Sequence, residues 1–186
     1  MHTAYIGMGA NLPSYAGSPE ATLAAAALRL EPLGRIVSRS SLYSTKPIGL
    51  AEQPRFVNAV IELETELGPR ALLEALLTIE LEFGRDRSAQ IANGPRTLDL
   101  DILLFGDLQL NEPGLEIPHP RLAERAFVLI PLNEITPQAA DPRTGKTMTQ
   151  LLHSLFPNSE GESDAVVQIQ WDDWRAGRGH AGYGLD

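Results

Sequence analysis

Cysteine is absent from this 186-residue chain, which excludes disulfides, thiolate metal sites and a cysteine nucleophile and suits a reducing compartment. No apolar run approaches the length of a membrane span, and the first residues show no basic stretch leading into an apolar one, so a soluble, cytoplasmic protein is expected. Basic residues are scarce: 15 lysines and arginines against 24 acids leave a formal charge of −9. A surface of that sign repels polyanions, which argues against nucleic acid or a membrane as partner and obliges any phosphate ligand to find a local cationic pocket. The four histidines, His2, His119, His153 and His180, form no ligand pair, and zinc chemistry has little support. Two phosphate-binding motifs begin and then fail. Gly145-Lys146-Thr147 lacks the earlier glycine, where Ala140 stands, and Gly7-Met8-Gly9 lacks a third glycine, where Leu12 stands, so it reads as a strand-ending turn.

What remains suffices for one α+β domain of ordinary size. Residues 3–8 read as a buried strand, Ser18-Pro19-Glu20 as the start of a helix reaching about Leu33, and residues 36–43 and 56–63 as two further strands. Gly68-Pro69 opens a second helix with the apolar stripe Leu72, Leu73, Leu76, Leu77 and Phe83, and Glu80 falls close to that stripe. A polar loop over residues 84–95 precedes a strand through Asp99 and Asp101 and a short one at residues 108–110. Residues 121–135 look helical with an interruption at Pro131, and Thr147 caps a last helix after the turn at residues 141–146. The order β-α-β-β-α-β predicts a ferredoxin-like α/β plait, an antiparallel sheet with helices packed on it. Composition divides the chain after residue 156. Residues 1–156 form the principal domain, and residues 157–186 a C-terminal extension with an edge strand over residues 166–171 and a mobile tail from Gly177.

The chemistry concentrates in Gly94-Pro95-Arg96-Thr97-Leu98-Asp99-Leu100-Asp101-Ile102. On a strand, alternation turns both carboxylates to one face, about 6–7 Å apart. Such a pair is either a solvated face or the seat of a hard cation, above all Mg2+, and the neighbouring Arg96 favours the second. Arg85 and Arg87 on the preceding loop, with Arg121 and Arg125 beyond Ile117-Pro118-His119-Pro120, are candidates to clamp phosphates, each of them also open to an ordinary surface role. His119 reads equally as a turn residue and as a donor to phosphate. Phe56 and Asn58 share a strand face, so an aromatic ring and an amide are offered together to a flat heterocycle, while core packing explains either ring alone. No general base stands out.

The stretch from Gly94 to Gly106 resembles the signature of the 6-hydroxymethyl-7,8-dihydropterin pyrophosphokinase family. Further blocks agree in order: Ala4 to Leu12, Ser41 to Thr45, Gln53 to Ala59, Ile79-Glu80 with Gly84-Arg85, and Ile117 to Arg121 with Arg125 to Phe127. The resemblance implies transfer of pyrophosphate from ATP, as co-substrate, to the hydroxymethyl group of 6-hydroxymethyl-7,8-dihydropterin in folate biosynthesis. It implies two Mg2+ ions on Asp99 and Asp101, with Arg85 and Arg96 also in the catalytic set. Thr45, Ile48, Phe56, Asn58 and Phe127 match pterin positions, the two phenylalanines sandwiching the ring. Glu80, Arg87, Ile102, His119 and Arg125 match ATP-side positions. No protein partner is implied. Departures concentrate in the loop before Gly94: Asn93 stands where some members carry tryptophan, Ile91-Ala92 where some carry an arginine, and the loop is about one residue longer. Lys46 and Leu77 replace a proline and a glutamine of some relatives. Two rivals stay open: a nucleotidyltransferase, which usually places a Gly-Ser pair ahead of its acids, and a non-catalytic sensor derived from the enzyme.

Overall fold

Small and apolar residues alternate at the start of the chain, and in the computed structural model, which describes residues 1–47, 52–85, 94–156 and 166–175, they build the centre of an antiparallel sheet. β1 (His2–Ala10) turns Ala4, Ile6, Met8 and Ala10 into the core, as its period of two requires. Gly7 and Gly9 lie inside this strand and not in a turn at its end, which corrects the reading from sequence. Ser18 caps α1 (Pro19–Leu30) by accepting the Ala21 N–H, and Pro19 occupies the first turn, where no N–H is needed. The helix stops at Leu30, short of Leu33, because Pro32 cannot continue the α-helical ladder and the chain tightens into a 3-10 turn over Glu31–Leu33.

The one strand expected over residues 36–43 is two, β2 (Arg35–Arg39) and β3 (Leu42–Thr45), both lying along β4 (Phe56–Thr65). Ser40 bridges the gap. Its N–H donates to the Val60 carbonyl, and its hydroxyl accepts the Val60 N–H in place of a backbone carbonyl. α2 (Pro69–Glu82) buries Leu72, Leu76, Ile79 and Glu80. β5 (Asp99–Phe105) begins at the first aspartate, leaving Arg96 in the turn ahead of it. That turn is fastened by the Arg96 N–H on Asn11 Oδ1 and by the Arg96 carbonyl, which accepts the N–H groups of Asn11 and Leu12.

Where one short strand was expected there is a hairpin, β6 (Leu110–Glu112) and β7 (Leu115–Ile117), turned through Pro113 and Gly114, the latter at φ 75°. α3 (Ala126–Ile135) runs through Pro131, and the break falls earlier, between a 3-10 turn at Leu122–Glu124 and Ala126. α4 (Met148–Leu155) starts at the Thr147 capping box with Gln150. The chain returns as β8 (Val166–Ile169) and a short α5 (Asp172–Arg175). The expected tail from Gly177 lies outside the described residues.

Strand order is β5-β1-β4-β3-β8, with β2 also on β4, the ferredoxin-like plait expected from the sequence. α1 and α2 cover one face around Ile6, Leu23, Ile61, Leu72 and Leu76, while α3 and α4 cover part of the other around Val60, Leu103, Leu129 and Met148. No helix among the described residues is long and apolar enough to cross a membrane. Leu76 is fully buried between α2 and the sheet. Leu76→Ala is therefore expected to cost about 2–5 kcal/mol in urea unfolding, and a loss under about 1 kcal/mol would contradict this packing.

Candidate active site

Strand register assembles the site. On β1, Gly9 pairs with Asn58 of β4 on one side and with Asp99 of β5 on the other, and Gly7 pairs with Val60 and Asp101 in the same way. Two rows thus cross three strands, with glycine at each centre and the amide and acid about 10 Å apart at the backbone. The glycines keep the floor open. A Cβ on Gly9 would stand 2.9 Å from Asn58 Oδ1, and one on Gly7 would stand 3.2 Å from the Leu103 side chain. Over this floor lies a cleft lined by Thr45, Phe56, Asn58, Arg96, Asp99, Asp101, His119, Arg125 and Phe127, together with Lys46 and Arg121.

The aromatic half of the cleft is built from β4 and α3. The Arg96 guanidinium lies 5.2 Å from the Phe56 ring centre, and that of Arg125 lies 5.5 Å from the Phe127 ring centre. Asn58 donates Nδ2–H to Thr45 Oγ1 at 2.7 Å, with both residues buried, which fixes the amide on the side facing the cleft.

The acidic half is a chain of charges. Asp99 accepts from Arg85 Nη1 on one oxygen and from Arg96 Nη1, at 2.8 Å, on the other. Behind it, Arg85 Nη1 also donates to the Leu98 carbonyl at 2.8 Å and to Glu80 Oε1 at 3.1 Å, and the same Glu80 oxygen accepts the Leu100 N–H at 2.8 Å. Glu80 and Arg85, expected to meet ATP and its phosphates, are buried and line neither cleft of the site; their contacts hold Asp99 and β5 in place. Glu80 turns inward because the outer edge of β5 presents an N–H that a buried carboxylate can satisfy. Asp101 differs. Among the described residues no lysine or arginine nitrogen lies within 4 Å of it, and its near neighbour is His119 Nε2 at 4.0 Å. Burial, then the Asp99 and Glu80 carboxylates, push its carboxyl up to about 7, although 42% of the side chain still opens onto the cleft.

His119 is placed by a bulge. β5 carries one extra residue, Leu103, against Tyr5 and Ile6 of β1, and the Leu103 carbonyl accepts the His119 N–H at 2.9 Å. The ring Nδ1 accepts the Arg121 N–H at 3.1 Å, so the neutral imidazole carries its proton on Nε2, toward Asp101. Burial and the Arg125 charge pull its pKa down to about 4. Arg125 itself is half-buried with no carboxylate within 4 Å among the described residues, a cation placed to receive an anion. Arg96 Nε is buried and lacks a hydrogen-bond partner among the described residues.

A second cleft begins on the far side of Asp101 and His119, between α2 and the β6–β7 hairpin, with Leu73, Ile102, Asn111, Leu115 and Pro120 in its lining. Asp101 and His119 belong to both clefts and form the wall between them. The structure thus gathers nine of the expected residues in the first cleft, puts Ile102 in the second and sets Glu80 and Arg85 behind Asp99. Ile48 and Arg87 lie outside the described residues. Sequence reasoning missed the floor glycines, whose signal was glycine at alternate positions of a strand, and the hairpin wall, signalled by Pro113-Gly114.

As to a metal, the donors fit a hard divalent ion. They are carboxylate oxygens with lone pairs to spare, and among the described residues no arginine nitrogen lies within 4 Å of Asp101. No group of three or more His, Cys, Asp or Glu side chains converges among the described residues, so further ligands would come from phosphate oxygens and water, as suits Mg2+.

The profile of the 7,8-dihydro-6-hydroxymethylpterin-pyrophosphokinase (HPPK) family matches residues 5–137. The chain is 46% identical over 150 residues to the 2-amino-4-hydroxy-6-hydroxymethyldihydropteridine pyrophosphokinase of Pseudomonas aeruginosa, covering 80% of this chain and 88% of that protein. It is 42% identical over 155 residues to the protein of the same name from Synechocystis, covering 83% and 76%. Its fold is similar to the solved structure of Plasmodium falciparum HPPK-DHPS wild type with pteroate, at a TM-score of 0.70 and 16% identity over 90% of this chain. The chain spans about half of that longer protein, 48% of its length.

The histidine supplies a direct check. In the metal-free protein the His119 ring is expected to titrate near 4 by NMR, and a midpoint at the ordinary value of about 6.5 would contradict its placement. The folded ring holds its proton less tightly than the unfolded one, so its contribution favours the folded state above about pH 6.5 and is lost as pH falls toward 4.

Proposed function

Since this chain belongs to the 7,8-dihydro-6-hydroxymethylpterin-pyrophosphokinase family, a pyrophosphokinase of folate biosynthesis that uses ATP, we propose that its two clefts take one substrate each and that the transfer occurs at the wall they share. The pterin enters the aromatic cleft and the nucleotide the one beside Ile102 and the β6–β7 hairpin. The observation that carries this reading is that Asp101 and His119 line both clefts, so groups bound on either side meet at one carboxylate.

Phe56 and Phe127 hold the pterin between their rings, and the Asn58 amide, oriented by Thr45, reads its donor-acceptor edge. Ile48 is assigned to the same pocket and Arg87 to the phosphates by the family resemblance alone. Arg96 and Arg125 line the aromatic cleft and meet the phosphates where these reach the shared wall, and His119, neutral at pH 7, offers Nε2–H to a phosphate oxygen. Asp99 and Asp101 would hold Mg2+, two ions in the family pattern, which when bound neutralises phosphate charge and lowers the proton affinity of the attacking hydroxyl. The hydroxymethyl oxygen bonds to the β-phosphorus as the bond from that phosphorus to the α-β bridging oxygen breaks, and the hydroxyl proton leaves to a phosphate oxygen or water, giving the pterin diphosphate and AMP. Positioning and charge do the work; no side chain is needed as a dedicated base. Glu80 and Arg85 act through Asp99, holding its carboxylate in place and aimed. A cytoplasmic setting belongs to the same reading.

Incubation with ATP, Mg2+ and the reduced pterin, followed by phosphorus NMR, is expected to show AMP and pterin diphosphate. Free pyrophosphate with an adenylylated pterin would instead indicate nucleotidyl transfer, and binding without turnover a sensor. Asp101→Asn is expected to lower kcat by about a thousandfold while pterin affinity changes by less than about twofold, because acid and pterin contacts sit on different strands. Phe127→Ala is expected to weaken pterin binding by about tenfold, the cost of one lost stacking face, as read by calorimetry; an unchanged affinity would remove the ring from the pocket.

A further inference from the structure

A four-residue strand at the edge of a sheet is poorly held, since half of its backbone groups would lack a partner. β3 is such a strand, and its end carries Thr45. Here it is not the edge. β8 pairs along it, Leu42 with Ile169, Tyr43 with Gln168, Ser44 with Val167 and Thr45 with Val166. Side chains then pin β8 and α5 to the gap between β2 and β3. Trp174, 1% exposed, donates Nε1–H to the Ser40 carbonyl at 2.6 Å, and Arg39 donates to the Trp174 carbonyl at 3.3 Å while its guanidinium lies 5.5 Å from the ring centre. Gln168 donates to Ser41 Oγ at 3.0 Å, and the Ser41 and Tyr43 hydroxyls both donate to Glu134 of α3, the helix that carries Phe127.

The consequence reaches the pocket through one hydrogen bond. Thr45 Oγ1 takes the Asn58 Nδ2–H at 2.7 Å, which turns Asn58 Oδ1 toward Gly9. If Thr45 shifts, the amide loses the partner that decides which edge it shows to a flat ring. Resting on the pterin reading above, we propose that β8 and α5 form a positioning strap for the pterin pocket, holding Thr45 where it orients Asn58. The strap lies beyond residues 5–137, which the family profile matches, so substrate affinity in this chain depends on a segment outside the matched region.

The test uses the full chain. Val167 is 42% exposed, so Val167→Pro disrupts the β3–β8 ladder with little loss of core packing. It is expected to raise the pterin KM by about tenfold while kcat and the ATP KM stay within about twofold, a split that mere loss of stability does not produce. Hydrogen exchange at Leu42 and Ser44, whose N–H groups face β8, reports that the strap has been released. Trp174→Phe, which keeps the packing and removes the bond to Ser40, is expected to shift the pterin KM the same way by about threefold. A pterin KM within about twofold of the parent while those two amides exchange freely overturns the proposal. If Val167→Pro does not fold, an unchanged pterin KM in both Trp174→Phe and Gln168→Ala overturns it. A parent chain that turns over no pterin removes the underlying reading, and the proposal with it.

Discussion

Glu80, Arg85, Asp99 and Arg96 form a line of alternating charges that fastens α2, the turn after residue 93 and the outer strand β5 to one another. Burying any one of these charges alone would cost several kcal/mol, on the order of 3–5 if a partner were removed. Together they pair with one another, and their formal charges cancel. Asp101 stands next in the row, and among the described residues it has no arginine nitrogen within 4 Å, so it is the position that favours a proton or a cation. The fixed acid and the unneutralised acid are thus made by the same cluster. One is held still so that the other can bind.

The remaining geometry follows from what β1 leaves out. With glycine at positions 7 and 9, the sheet has a trough between the amide row and the acid row, wide enough for a ligand and floored by backbone. The Leu103 bulge then brings His119 up against Asp101, and the β6–β7 hairpin closes a second cleft behind it. Neutral His119 and cationic Arg125 place a donor and a charge at the junction beside the two acids.

Much of this could be read from residue order. Alternation put Asp99 with Asp101 and Phe56 with Asn58 on common faces, and helix signals at Ser18, Gly68-Pro69 and Thr147 were correct because caps and prolines act locally. What escaped depends on partners distant in sequence. The split at Ser40 exists because its hydroxyl can replace a carbonyl opposite Val60, the bulge at Leu103 is where β5 shifts its register against β1 by one residue, and Glu80 turns inward because Leu100 offers it an N–H. The C-terminal segment was readable as an edge strand, yet the burial of Trp174 against Ser40 has no local signature. Helix α3 ran through Pro131 because that residue gives up only one bond, to the Phe127 carbonyl, in a helix anchored by its packing on β4.

The claim that both substrates meet at the Asp101 and His119 wall is tested most directly by a crystal structure with Mg2+, a non-hydrolysable ATP analogue and the reduced pterin bound together. The expected density has the pterin ring between Phe56 and Phe127, metal on Asp99 and Asp101, and the hydroxymethyl oxygen about 3–3.5 Å from the β-phosphorus, in line for attack. Both ligands in one cleft, or a metal bound away from the two aspartates, would contradict it.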